Sequence, residues 1–287
     1  MNLVPFLFNS SPSNLHETSR FSCIFFFLFS CSKLETGLSL APRYLENQID
    51  NAFDFKSEKN TRIRKQLEVD IKSLKKELAK KMLVHLEQIE NTFLNAEPTV
   101  ESISKIFDDI AQTQTVLFQS FNASAAVTLK DLSADEIKHF KKYSDKKYDE
   151  EKDLSKNKKA FLKKRKASFF KTFEFFLDDL TSEQEKLLTD FVEKNLDYFS
   201  NRIGARQKFS DSFYFKMQGH EPILEYFLNH YSGKKLSAFS DSDQKDYLLR
   251  FFNFQIGFWK TVSQDQKNYF RKILNNYKEE LKKMAAG

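Results

Sequence analysis

The chain has 287 residues, with 46 Lys and Arg against 40 Asp and Glu, so its formal net charge is +6. This mildly basic balance is spread over both signs, which argues against a dedicated nucleic-acid binder, and we expect no nucleic-acid partner. Only 6 Gly and 5 Pro interrupt the sequence, which favours long helices. For the 32 Phe, the interpretation that we favour is codon bias in an AT-rich genome.

An uncharged, mostly apolar run from Ser22 to Ser30 follows Arg20. Its nine residues are too few to cross a bilayer, which takes roughly 20. A positive charge, a short apolar run and small residues at its exit are typical of a secretory signal segment. A buried, Phe-rich helix of a cytosolic protein is the alternative, but the polar stretch after the run favours the signal segment.

The run ends in four residues that resemble a bacterial lipobox: Leu28, Phe29, Ser30 and Cys31. The resemblance implies cleavage before Cys31, a diacylglycerol thioether on its sulfur, and acylation of the new amino terminus with fatty acids such as palmitate. Acyl chains hold a soluble domain on a membrane without a transmembrane helix. The next residue is Ser32, at a position where Asp would often signal retention at the inner membrane. The resemblance therefore points to the periplasmic face of the outer membrane.

These features predict three segments of the chain. Residues 1–30 form the signal segment, whose true start we expect downstream of Met1, with Leu15 as a candidate. Residues 31–41 form the lipidated Cys and a tether, and residues 42–287 form a helical periplasmic domain. The processed chain would keep Cys31 as its single Cys, which excludes an intrachain disulfide and a Cys-based metal site.

After the tether, the apolar spacing indicates helices and no strand pattern competes. In the longest one, apolar residues recur every three or four positions along one face. We expect an all-α, elongated bundle of about seven or eight helices. The predicted helices are Pro42–Phe53, Ser57–Leu94, Thr99–Phe121, Ser133–Leu180, Thr181–Met217, Pro222–Tyr231, Asp243–Lys260 and Ser263–Met284, with a connector over Asn122–Lys130.

Three of these helices begin at a capping box, in which a hydroxyl side chain is followed three residues later by Glu or Gln. The cap hydroxyl accepts from the third amide of the helix, and the later side chain bonds back to the cap's own N–H. Each cap contributes on the order of 1 kcal/mol, so we interpret the three pairs as structural. They are Ser133 with Glu136, Thr181 with Gln184, and Ser263 with Gln266.

The segment "GLSLAPRYLENQIDNAFDF" after the lipobox and the later "LTSEQ" resemble an uncharacterised family of Gram-negative, all-helical lipoproteins. The resemblance implies an all-helical, lipid-anchored envelope protein. "LTSEQ" also resembles the LTxxQ motif of the Spy and CpxP type of periplasmic chaperones, although that similarity is local. Neither family supplies a catalytic residue for this chain.

The sequence contains none of the common catalytic or nucleotide-binding motifs, so we predict no catalytic residue, no cofactor and no metal site. HExxH, GxGxxG, Walker A and GxSxG motifs are absent from the sequence. The His residues are far apart, and the neighbouring pairs Asp108–Asp109 and Asp178–Asp179 point in different directions on a helix. The basic run Lys156–Lys171 suits either anionic headgroups or, as we favour, a solvated helix face.

The sequence therefore predicts a membrane-anchored, non-enzymatic scaffold or binding module of the cell envelope. Its partners would be the membrane, through the lipid anchor, and an envelope protein or polymer. The alternative is a periplasmic, chaperone-like holdase that uses Phe-rich surface, motivated by the LTxxQ motif and the number of Phe.

Overall fold

The computed structural model describes residues 34–219 and 241–286, where all regular secondary structure is helical. This confirms the predicted all-α class. The helices of this part of the chain are α1 (Leu34–Phe53), α2 (Ser57–Phe93), α3 (Val100–Ser120), α4 (Asn122–Leu129), α5 (Ala134–Lys156), α6 (Lys158–Leu177), α7 (Ser182–Lys194), α8 (Leu196–Gln218), α9 (Asp241–Trp259) and α10 (Gln264–Ala286).

The predicted count of seven or eight helices is too low, since the described residues alone contain ten. The predicted helix Ser133–Leu180 is divided at Asn157, whose side chain accepts from the Ala160 amide at 3.0 Å and so begins α6. The predicted helix Thr181–Met217 is divided at Asn195, whose side chain makes no capping bond to α8 and instead donates to the Phe191 carbonyl at 2.8 Å. The predicted connector Asn122–Lys130 is the short helix α4, whereas the predicted helix Pro222–Tyr231 lies outside the described residues.

Helix α1 begins earlier than the predicted start at Pro42. It includes Leu34 to Ala41, which the sequence assigned to the tether. Leu38, Ala41, Leu45 and Ile49 follow one another at spacings of three and four and are all buried. Proline cannot donate a hydrogen bond to the preceding turn of a helix. The helix nevertheless extends to both sides of Pro42, because burial of its apolar face offsets the loss of that bond.

The longest helix, α2, has 37 residues and a length of about 56 Å. It packs against α1, α3, α4 and α10. Its buried apolar residues recur every three or four positions and include Ile63, Leu67, Ile71, Leu74, Met82, Leu86 and Ile89. The bundle is therefore organised along α2, on the face that the sequence predicts to be apolar.

A second packing region joins α6, α7, α8 and α9 through aromatic rings. The rings of Tyr198 and Tyr247 are stacked with centroids 3.9 Å apart, and those of Phe191 and Phe254 lie 4.4 Å apart. Phe199 is fully buried and contacts Tyr247 and Phe169. Much of the Phe content is thus used for packing inside the bundle.

Three Asp residues have a positive φ where helices end. They are Asp54 after α1, Asp131 after α4 and Asp178 after α6, with φ between 52° and 63°. Glycine usually occupies positions of positive φ, and Asp tolerates the left-handed helical region better than most residues, although Asp178, with a ψ of −141°, lies outside that region. These positions let a chain with few glycines reverse direction.

Candidate functional site

The predicted lipidation site, Leu28 to Cys31, lies outside the described residues. The described chain begins at Leu34, the third residue after Cys31. Lipidation therefore stays a prediction.

At all three predicted caps, the hydroxyl and the later side chain make the two bonds of a capping box. Ser133 accepts from the Glu136 amide at 3.2 Å, and Glu136 accepts from the Ser133 amide at 2.7 Å. The Thr181 and Gln184 pair makes the same bonds at 3.3 and 3.0 Å. The Ser263 and Gln266 pair makes them at 3.2 and 3.1 Å. A further capping box, between Thr99 and Ser102, was missed because Ser is not the usual third residue.

Two of these capping boxes bind each other in the interior. The Gln184 amide donates to Gln266 Oε1 at 2.9 Å, and the Gln266 amide donates to Gln184 Oε1 at 3.0 Å. Gln184 also donates to the Thr261 carbonyl at 3.0 Å, and Gln266 to the Asp179 carbonyl at 2.8 Å. Each accepting carbonyl lies two residues before a cap hydroxyl. The turns before α7 and α10 are therefore related by a local two-fold arrangement.

We call Gln184 and Gln266 the glutamine pair. Each amide uses both N–H donors and receives two bonds at its oxygen, which is the full capacity of a primary amide. Exchanging O and N in either side chain would place donors against donors, so the network fixes both orientations. Gln184 is 0% exposed and Gln266 is 8% exposed. These side chains hold two turns together, which supports a structural interpretation of the LTxxQ motif.

A buried polar cluster lies between α2 and α3. His85 is 4% exposed; its Nε2 is 2.8 Å from Thr113 Oγ1 and its Nδ1 is 3.3 Å from Gln88 Oε1. Gln88 in turn donates to Asp109 Oδ2 at 2.6 Å. The acceptor role of Gln88 Oε1 places the proton of a neutral His85 on Nδ1, so that Nε2 accepts from Thr113.

Burial lowers the pKa of His85, and this outweighs the opposing hydrogen bond of Gln88 and the charge of Asp109. Asp109 bonds to Gln88, whereas the adjacent Asp108 is exposed, so the two carboxylates do not converge on one point. In the residues that the structure describes, no group of three or more His, Cys, Asp or Glu is placed to hold a metal ion.

Asp70 is a buried carboxylate of α2 that caps another helix. It accepts from the Ser124 amide at 3.1 Å and from the Ser124 hydroxyl at 2.6 Å, and its second oxygen accepts from Gln66 at 2.8 Å. Ser124 lies in the first turn of α4, where free amides and the helix dipole favour a negative charge. Asp70 of α2 therefore caps the amino-terminal end of α4, although it is not part of that helix. No local sequence signal predicts this contact.

The basic run Lys156–Lys171 has a mixed placement. Lys158, Lys159 and Lys163 are exposed. Arg165 is buried instead, with its guanidinium 4.7 Å from the centre of the Phe161 ring. The predicted solvated face thus holds for part of the run, and the arginine stacks in the aromatic region.

A regular charged surface lies on α2, opposite its apolar face. Five cations there are exposed, and no described residue pairs with them: Arg62, Lys65, Lys72, Lys76 and Lys80. The spacing of these residues, with Val69 among them, is three or four and places them on one stripe. This stripe is not among the sequence predictions, which used only the apolar positions of α2, although the same periodicity defines the opposite face of the helix.

No helix in residues 34–219 or 241–286 is long and apolar enough to serve as a membrane span. Comparisons of the chain with protein-family profiles, with curated proteins and with solved structures give no match.

Proposed function

We propose that the protein is a lipid-anchored scaffold or binding module of the bacterial envelope, held at the periplasmic face of the outer membrane by Cys31. The observation that carries this proposal is the sequence Leu28-Phe29-Ser30-Cys31 at the end of a short apolar run. Residues 1–30 are the cleaved signal segment. The helical bundle, elongated along α2, is the part that meets an envelope protein or polymer.

The energetics of acylation support this arrangement. Each buried CH₂ of an acyl chain contributes about 0.8 kcal/mol, so two or three chains give stable membrane attachment. Leu34 begins α1 at the third residue after Cys31. So short a connection would hold the bundle close to the lipid surface.

A holdase is the second candidate, favoured by "LTSEQ" and by the 32 Phe. The placement of these features supports the scaffold instead. Gln184 of the motif is buried in the glutamine pair, and many Phe side chains lie in the core. Among the described residues, Phe215 is the one Phe in the set of exposed large hydrophobic side chains, at 66% exposure.

Metabolic labelling with palmitate tests the anchor. We expect label in the wild type and in Cys23→Ala, and loss of label with release from the membrane fraction in Cys31→Ala. Cys23→Ala is the matched control because it removes the other Cys of the chain. Equal labelling of Cys31→Ala and the wild type would overturn the proposal.

An aggregation-suppression assay with full-length Cys31→Ala protein separates the two candidates. A scaffold leaves the aggregation of a heat-denatured client unchanged at stoichiometric amounts. Full protection of the client would favour the holdase.

A further inference from the structure

Helices α1 and α2 form an antiparallel hairpin whose register is fixed by two polar contacts. Arg64 lies 3.5 Å from Glu46, and Asn60 donates to Asp50 at 2.7 Å. In both pairs the residue numbers sum to 110, so Leu40 of α1 is level with Asp70 of α2, and Leu34 is level with Lys76. The amino-terminal end of α1 therefore lies beside the cationic part of α2.

The outer side of this hairpin combines free cations with exposed apolar side chains. Leu40 is 55% exposed and Val69 is 59% exposed, and the register places them at the same level on neighbouring helices. Arg43 is exposed one turn from Leu40. We call the following set the outer hairpin face: Leu40, Arg43, Arg62, Lys65, Val69, Lys72, Lys76 and Lys80.

The cations of this face differ from two neighbouring cations of α2 that have carboxylate partners. Lys81 pairs with Glu77 at 3.4 Å, and Arg64 pairs with Glu46. Between Arg62 and Lys80 the stripe extends about 27 Å along the helix. Two exposed acids of α2, Glu68 and Glu77, lie between Arg62 and Lys80, and Glu77 is paired with Lys81, so the cations outnumber the acids. The result is a positive surface with an apolar centre.

We propose that the outer hairpin face lies on an anionic lipid headgroup layer. This rests on the proposed anchor at Cys31, because an acylated residue so close to α1 would bring that face to the membrane. The cations would bind lipid phosphates, and Leu40 and Val69 would enter the boundary between headgroups and acyl chains. The acyl chains at Cys31 would already give stable attachment, so the outer hairpin face would set the orientation of the bundle on the lipid layer.

The test uses residues 31–287 with Cys31→Ala, the chain that remains after removal of the proposed signal segment, so that binding depends neither on acylation nor on the apolar run before Cys31. We expect it to sediment with vesicles of equal phosphatidylglycerol and phosphatidylethanolamine, and not with phosphatidylcholine vesicles. Replacing Lys65, Lys72 and Lys76 together by Gln is expected to weaken binding about a hundredfold, because each cation near the surface contributes roughly fivefold. Added salt should weaken binding as well.

The matched control replaces three exposed lysines of α6, Lys158, Lys159 and Lys163, by Gln. It changes the net charge equally and should leave binding within about twofold of the parent. Equal losses in both triple variants would overturn the proposal, as would absent vesicle binding. Preferential binding of duplex DNA at the same phosphate concentration would overturn it too.

A label that reports its depth tests the orientation. In a protein without Cys23 and Cys31, a fluorophore on Leu40→Cys should be quenched by nitroxide lipids. The same fluorophore on Leu249→Cys, a 50% exposed position of α9, should not. Similar quenching at both positions would overturn the proposed orientation. Because no acyl chain is present, these outcomes are independent of the palmitate labelling that tests the anchor.

Discussion

The outer hairpin face and the glutamine pair use polar side chains in opposite ways. In the glutamine pair, two buried amides satisfy all their hydrogen-bonding groups within the protein. On the outer hairpin face, cations stand in water without a partner among the described residues. Buried polar groups whose hydrogen bonds are all made within the protein thus hold the fold together, whereas exposed charges without a partner remain available for binding.

The largest effect is expected in the aromatic region that joins α6, α7, α8 and α9. Phe199→Ala should lower the free energy of unfolding by about 4 kcal/mol, because it leaves a cavity among buried rings. Urea denaturation followed by circular dichroism measures the change. Phe215→Ala is the control, since this side chain is exposed and should cost less than about 0.5 kcal/mol. Similar costs for the two variants would contradict the description of the core.

The glutamine pair itself comes next. Gln184→Ala should destabilise the protein by about 3 kcal/mol, because it removes the capping-box bond to the Thr181 amide and leaves Gln266 with unpaired buried groups. The double variant with Gln266→Ala should cost clearly less than the sum of the two single variants, since the pair is coupled. Additive costs in this double-mutant cycle would show that the two turns act independently.

The buried side of α2 carries His85, whose titration should make the stability of the protein depend on pH, unlike the exposed cations on the opposite side of the helix. The pKa of His85 is lowered by burial, so the unfolded chain binds its proton more readily than the native protein does. Stability from this residue is therefore complete above the unfolded pKa near 6.5 and is lost as the pH falls below it. Denaturation of wild type and His85→Gln at several pH values measures the difference. Parallel pH profiles would contradict this assignment.

The smallest effect on stability is expected on the outer hairpin face. Replacing Lys72 and Lys76 by Gln should change the free energy of unfolding by less than about 0.5 kcal/mol, because exposed charges without partners contribute little. The same urea measurement applies. A loss as large as that of Gln184→Ala would mean that these lysines have a structural role, which would remove the contrast between the two regions.

The sequence predicted the helical class and the caps because both depend on local chemistry. Few glycines and prolines, a regular apolar spacing and hydroxyl residues three positions before Glu or Gln all act within one or two turns. The breaks at Asn157 and Asn195 were missed because no Gly or Pro marks them, and Asn is common inside helices as well. Local signals therefore predicted which segments are helical better than they predicted where each helix ends.

Features that join distant parts of the chain were not predictable in this way. The bonds of the glutamine pair connect residues 82 positions apart, and Asp70 caps a helix 54 positions away. Nothing in either local sequence specifies its partner. The cationic stripe of α2 could have been predicted from the sequence, since Lys72, Lys76 and Lys80 recur every four residues. That these lysines have no ion-pair partner among the described residues could be seen only in the folded structure.

Residues 220–240 separate Gln184 from Gln266 along the chain, so the four bonds that connect the two turns do not require an unbroken backbone between them. If a protease cleaved within 220–240, α9 and α10 would stay attached to the preceding helices through these bonds and the surrounding rings. The two fragments would then migrate as one particle in native chromatography and separate only in denaturant.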